Sequence, residues 1–274
     1  MELISRVSRG SVMDQIYLPK KRTGLDIGSY VLIKPVETES ASQQRRMERL
    51  FYYHLSYLEP LKLNLISEIF RHINQNRERY DNIIVTGSFL EHGFNFNDID
   101  ILLISEEKEE SMGINRIKCF IKELTGVPPH LLILDRQTLI QGLSSDPLYQ
   151  MMLSKCVAKK RLIYKIKPKI DYKLLDLHLL NSKLVLDNFD LLDGQEKYYL
   201  TRNMVAIAQY LKTKNVKKEK VDQEIKRAFN LQDTGEIKRN VLDKEEFLKR
   251  YKLMYEDTFE KIMVSIKKKA KREI

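Results

Sequence analysis

The sequence predicts an α/β core, a mixed sheet with flanking helices, preceded by a small all-β N-terminal element and followed by an all-α C-terminal domain. Three observations carry this reading. Apolar strand-like runs at Asn82 to Thr86 and Ile99 to Ile104 flank a glycine-containing loop, and a third run, His130 to Leu134, follows a helical stretch. Beyond Pro168 the apolar residues recur only at helical spacing, as in Leu174 to Phe189, Lys197 to Leu211 and Phe247 to Ile266. Near the N-terminus, Asp14 to Leu18 and Tyr30 to Ile33 are β-prone and separated by Pro19, Gly24 and Gly28.

Each element follows from its local pattern. The N-terminal segment is too short to bury a core alone, because units below about 40 residues need a neighbour or a second copy. A homodimer formed through it is expected. The polar stretch Thr38 to Gln44 has no apolar period and marks a boundary. From Arg45 the residues Met47, Leu50, Phe51, His54, Leu55 and Leu58 recur at helical spacing until Pro60 interrupts, and Leu61, Leu65, Ile66, Ile69, Phe70 and Ile73 continue a second helical face. A helix over Ile114 to Leu124 ends at Gly126 and Pro128-Pro129, before the third strand. The expected units are residues 1–37, 45–165 and 170–274.

Composition narrows the function classes. The chain has 274 residues, 43% hydrophobic and 31% charged, and a formal net charge of +10. That excess suits an anionic partner such as a nucleotide or nucleic acid, and equally a lysine-rich soluble surface. Its two cysteines, Cys119 and Cys156, form no CxxC and neighbour no histidine cluster, so neither a disulfide framework nor a zinc site is expected. The longest apolar runs fall far short of the roughly 20 residues a membrane helix needs. A cytoplasmic protein with no membrane partner is the expectation.

The informative passage runs from Thr86 to Leu103. Asp98 and Asp100 sit two apart at the start of an otherwise apolar strand, so their side chains share a face. Paired carboxylates repel each other unless a cation lies between them, and hard oxygen ligands suit Mg²⁺ or Mn²⁺ bridging to substrate phosphates. Gly87-Ser88, at the end of the preceding strand, lets backbone and hydroxyl donors approach a phosphate closely. The bland alternative is a turn-capping Asp98 and an Asp100 paired with a basic side chain.

Gly87-Ser88 with Asp98-Ile99-Asp100 resembles the GS…DxD signature of the polymerase-β-like nucleotidyltransferase superfamily, nearest its minimal members, over about Arg45 to Tyr164. The resemblance implies that Gly87 and Ser88 position a nucleoside triphosphate and that Asp98 and Asp100 bind divalent metal. Members usually add a third carboxylate from the next strand. Here the aligned run Pro129 to Asp135 has His130 in that position, as base or metal ligand or as a plain strand-edge histidine, and the nearest acid is Asp135. Glu91 and His92 lie in the motif loop, and Lys197 or Arg202 are further candidates for reaching the triphosphate. His54, His72 and His178 read as structural.

The N-terminal residues Val7-Ser8-Arg9-Gly10, Tyr17-Leu18-Pro19-Lys20-Lys21-Arg22-Thr23-Gly24-Leu25 and Gly28-Ser29-Tyr30-Val31 resemble the AbrB/MazE-type swapped-hairpin domain. This implies a homodimeric β-barrel, commonly DNA-binding, with Arg9, Lys20, Lys21 and Arg22 as phosphate contacts. The leading expectation is therefore a metal-dependent transferase moving a nucleoside monophosphate to a protein, RNA or small-molecule acceptor. The alternative is a DNA-binding regulator or antitoxin-like module with an inactive nucleotidyltransferase domain.

Overall fold

The computed structural model describes residues 7–8, 15–16, 50–75, 80–106, 111–164 and 166–270. Its contacts divide the chain into two units, Met1–Arg45 and Arg46–Ile274. In the first unit, β1 (Val7–Ser8) pairs antiparallel with β2 (Gln15–Ile16). The strand expected at Tyr30 to Ile33, and Arg9, Lys20, Lys21 and Arg22, lie outside the described residues.

The second unit holds a five-stranded sheet in the order β3-β7-β4-β5-β6. These strands are β3 (Phe51–Tyr53), β4 (Asn82–Thr86), β5 (Ile99–Ile104), β6 (Pro129–Leu134) and β7 (Cys156–Ala158). All pairs are antiparallel except β5 with β6, which α2 (Ser111–Thr125) connects as a parallel crossover. The sheet is therefore mixed.

Side-chain alternation along the strands separates two cores. Ile83, Val85, Ile101 and Leu103 pack against Ile66, Ile69 and Phe70 of α1 (Pro60–Gln75) and Ile117 and Ile121 of α2. Ile84, Leu102 and Ile104 face the other way, onto Leu139 and Leu143 of α3 (Arg136–Ser145) and Leu153 of α4 (Pro147–Leu153). Because both faces are covered, β4 and β5 read as continuous apolar runs rather than alternating ones.

The residues from Tyr172 onward form α5 (Tyr172–Ser182), α6 (Leu184–Asp187), α7 (Gly194–Thr213), α8 (Lys218–Phe229), α9 (Gly235–Lys238) and α10 (Lys244–Ala270). The buried α7 lies at their centre, touching α5, α8, α9 and α10, and α4 packs on it from the α/β side. A capping box between Asp193 and Glu196 starts α7, and Lys214 with φ 55° ends it. Among the described residues no helix is long and apolar enough to cross a membrane.

One local expectation is overturned. Residues 51–53 were expected on a helix, and they form β3 instead, antiparallel to β7 with Tyr53 opposite Cys156. Phe-Tyr-Tyr is strongly β-prone, and the edge of β7 offers hydrogen-bond partners that no local periodicity reveals. Pro60 opens α1, a position where its missing N–H costs nothing. The strand β7 and helices α3 and α4 carry no expectation from the sequence pattern.

Candidate active site

The strand registers bring the motif residues to one end of the sheet. Thr86 pairs with Asp100, and Asp100 pairs with His130 on the adjacent parallel strand. Directly opposed residues share a face, so Asp100 and His130 project side by side. His130 Nδ1 lies 3.0 Å from Asp100 Oδ1, with the imidazole 71% and the carboxylate 31% exposed. Asp98 falls one residue before β5 and is partly buried. Burial and the neighbouring Asp100 charge raise its pKa above the usual carboxylate range, against a smaller lowering by His130.

Gly87 explains how this carboxylate comes so close to the chain. Its backbone, φ 83° and ψ −159°, is in a region open essentially to glycine alone. A Cβ built there would stand 1.9 Å from Asp100 Oδ2 and 2.9 Å from its Cγ. Asp100 therefore lies over the bare glycine. Ser88 opens a single 3₁₀ turn, Ser88–Leu90, in which the Leu90 N–H donates to Gly87 O and the Glu91 N–H donates to Ser88 O.

These contacts predict the behaviour of Gly87→Ala. The Cβ must push Asp100 aside or the backbone must move, and for the transferase that the motif's resemblance implies this predicts a fall in turnover of about 100-fold, the scale of an ångström misplacement at a reacting centre. The Gly-only backbone adds a stability loss of about 1–3 kcal/mol. Gly93, φ 82°, has open space where its Cβ would be, so Gly93→Ala pays backbone strain without the collision. Measured side by side for turnover and denaturant midpoint, both variants should lose stability, Gly87→Ala at least as much as Gly93→Ala, and only Gly87→Ala should lose most of its turnover. Equal activities would remove the role given to Gly87.

The loop after Ser88 is anchored from below. Lys62, on α1, is fully buried; its ammonium donates to the carbonyls of Glu91 and Gly93 and lies 3.1 Å from Glu59 Oε2. It also sits 5.3–5.7 Å from the ring centres of Phe89, Phe94 and Phe96. Glu59 Oε1 accepts the Gly93 N–H at 2.6 Å. Burial opposes ionisation of Glu59, yet the Gly93 N–H and Lys62 hold its carboxyl below the usual range.

Glu91 is not a solvated loop acid. Lys155, between α4 and β7, reaches its Oε2 at 2.9 Å, and Lys218 at the start of α8 bonds its Oε1. Thr86 Oγ1 donates to Met152 O at 2.6 Å, tying the end of β4 to the turn that carries Lys155. Lys238 lies 4.4 Å from the Tyr198 ring centre, and burial, then the Lys218 charge, push its pKa down. Arg202 stands 4.9 Å from the Tyr199 ring centre, and its buried Nε has no hydrogen-bond partner. Cations thus gather beside the loop that follows Gly87-Ser88.

Burial works against the Glu91 charge, but Lys218 and Lys155 outweigh it and lower its pKa. A folded-state pKa below the unfolded one gives stability that is complete above the ordinary carboxylate range and fades as pH falls through the lowered value. Glu91→Gln should flatten the acid limb of stability below about pH 5. With the carboxylate 39% exposed, solvent screening limits the difference to about 1 kcal/mol or less. Superimposable acid limbs in denaturant titrations would show the pairs to be idle.

The remaining sequence candidates divide differently from expectation. Lys197 is buried, donates to Asn240 Oδ1 at 2.6 Å and sits 4.0 Å from the Phe189 ring centre, so its role is in the helical core. His92 is exposed, 6.2 Å from Tyr57 ring to ring. Asp135 caps α3 by accepting the Thr138 N–H at 2.7 Å. His72 stacks on Phe120 and His178 pairs with Asp146. Burial pushes the Cys156 thiol up to about 12.

Among the described residues no group of three or more His, Cys, Asp or Glu side chains is arranged to hold a metal ion. Two carboxylates are nevertheless what a Mg²⁺ site shared with substrate phosphates requires, since that ion keeps water and phosphate ligands rather than an all-protein cage. The repulsion between Asp98 and Asp100 is the feature a cation would relieve. No family model, curated protein or solved structure matches this chain.

Proposed function

We propose that this chain is a metal-dependent nucleotidyltransferase of the polymerase-β-like superfamily. It moves a nucleoside monophosphate from a nucleoside triphosphate to a protein, RNA or small-molecule acceptor. The observation that carries the reading is Asp100, lying over Gly87, bonded to His130 and electrostatically coupled to Asp98. Asp98 and Asp100 would hold Mg²⁺ or Mn²⁺, and the cation would supply positive charge against the phosphates.

The acceptor oxygen forms a bond to the α-phosphorus while the bond to the bridging oxygen breaks and pyrophosphate leaves. With its proton on Nδ1, His130 donates to Asp100 Oδ1 and keeps Nε2 for the acceptor's proton. An in-line displacement then has the acceptor on the His130 side and the pyrophosphate leaving past Gly87-Ser88 toward Lys155 and Lys218. Those lysines hold Glu91 in the free chain. The N-terminal element, with Arg9, Lys20, Lys21 and Arg22, joins two copies in a cytoplasmic homodimer or tethers the enzyme to DNA.

The second reading, a DNA-binding regulator without turnover, draws on His130 standing where the resemblance calls for a third carboxylate. A single assay separates the two: transfer of label from α-³²P-labelled ATP, CTP, GTP and UTP, with Mg²⁺ or Mn²⁺, to the protein itself, total RNA and a small-molecule extract. Metal-dependent label is the expected result and identifies donor and acceptor. No transfer from any triphosphate would overturn the enzyme reading in favour of the regulator.

A further inference from the structure

A cavity of about 380 Å³ opens at the β3 edge of the same sheet, lined among others by Tyr53, His54, Leu153, Tyr164, Lys214 and Lys217. Its walls belong to two stretches of unusual composition. Residues 159–169 carry six Lys and Arg and no acid, and residues 212–220 carry five Lys against Glu219 alone. Eleven positive charges less one negative equals the net +10 of the whole chain, so the other residues sum to zero. Lys214 and Lys217 of the second stretch line the cavity, beside Leu162, Tyr164, Ile166 and Pro168 of the first.

Two tyrosines of the lining have fixed partners. Tyr53 is held in place because its hydroxyl oxygen accepts the Leu162 N–H at 2.7 Å. Tyr164 has the Arg136 guanidinium 6.0 Å from its ring centre. The Lys217 ammonium stands 3.2 Å from His54 Nε2, at the rim. Lys160, Arg161, Lys167, Lys169 and Lys214 are exposed, giving a charged border that a backbone of phosphates could follow. A cationic border combined with an aromatic recess is the arrangement that binds single-stranded nucleic acid, where bases are free to stack and phosphates need neutralising.

We infer that this cavity seats an unpaired base of a single-stranded nucleic acid, whose flanking phosphates lie along Lys160, Arg161, Lys167 and Lys169 on one side and Lys214 and Lys217 on the other. A double helix cannot satisfy both features, since its base faces are covered by their neighbours. Strand spacing of about 4.8 Å puts Tyr53, on β3, roughly three strands or 14 Å from Asp100 on β5. The seat is thus separate from the transfer chemistry, and its occupancy requires neither metal nor triphosphate.

The test is fluorescence anisotropy of the full chain with end-labelled single-stranded RNA and DNA decamers, against a hairpin duplex of equal charge. Single strands should bind at least about tenfold tighter than the duplex. Tyr164→Ala should weaken them by roughly 5- to 100-fold, the range for loss of one stacked base, and Tyr164→Phe should not. Reversing two rim charges, Lys214→Glu with Lys217→Glu, tests the same seat from the surface and should reduce both affinity and its salt dependence.

Replacing Arg9, Lys20, Lys21 and Arg22 by Ala, or Asp98 and Asp100 by Asn, should leave pocket-dependent binding unchanged. The RNA and DNA arms reveal which sugar is preferred. Equal affinity for single strand and duplex, equally tight binding of polyglutamate, displacement by an equimolar nucleoside triphosphate, or wild-type binding by the Lys214/Lys217 variant would each overturn the inference.

Discussion

Asp98→Asn combined with Asp100→Asn is expected to abolish metal-dependent binding of a nucleoside triphosphate while leaving the fold intact. Asparagine keeps the volume and an oxygen that can accept from His130 Nδ1, so the 3.0 Å contact survives. What disappears is the pair of negative charges that would hold a divalent cation. The sign of the stability change follows from Asp98, whose pKa is raised in the folded chain. Such a carboxylate is easier to ionise unfolded than folded, so its charge reduces stability as pH rises above the unfolded value. The double variant should therefore match or exceed the wild type in thermal midpoint at neutral pH. Loss of binding with an unchanged or higher midpoint is the outcome that separates a metal site from a structural pair. Normal triphosphate binding by the variant would remove the site from this position.

Lys62→Met should have the largest effect on stability. Methionine fills most of the space but supplies no charge for Glu59 and no donor for the carbonyls of Glu91 and Gly93. Breaking a buried pair by removing one partner costs about 3–5 kcal/mol, a large share of the roughly 5–15 kcal/mol that holds an ordinary domain together. Urea unfolding measures it directly. Glu59→Gln added to Lys62→Met should recover part of the loss, because the stranded buried charge is then gone. A loss under about 1 kcal/mol would mean that water replaces the ammonium and that the loop is held by its own turn.

The candidate motif was legible because its residues lie close in the chain and its strands are long apolar runs. Asp100 comes to Gly87 because β5 pairs in register with β4, and His130 faces Asp100 because β6 pairs in register with β5. Of the cations around the loop only Arg202 was singled out by the sequence; Lys155, Lys218 and Lys238 were not. Glu91 meets Lys155 across 64 positions and Lys218 across 127, and no periodicity in either segment marks a partner so distant. Lys62 hides for a different reason. It lies one turn before Ile66 on the apolar face of α1, and only Glu59 and the carbonyls of Glu91 and Gly93, brought there by the fold, give a buried ammonium its partners. The same holds for β3, whose strand state depends on the edge of β7.

By itself, then, the sequence determined the apolar strand runs of β4, β5 and β6, the helical period of the last third, and the charge and spacing of the motif. All of these arise from interactions within about one element's length, where steric and hydrophobic periodicity act. Tertiary structure alone decided that Asp100 lies over Gly87, that Glu91 is ringed by lysines, and that two basic segments more than forty residues apart border one aromatic cavity. Such contacts are set by how the sheet and helices pack, and packing is a property of the whole core that no single segment carries.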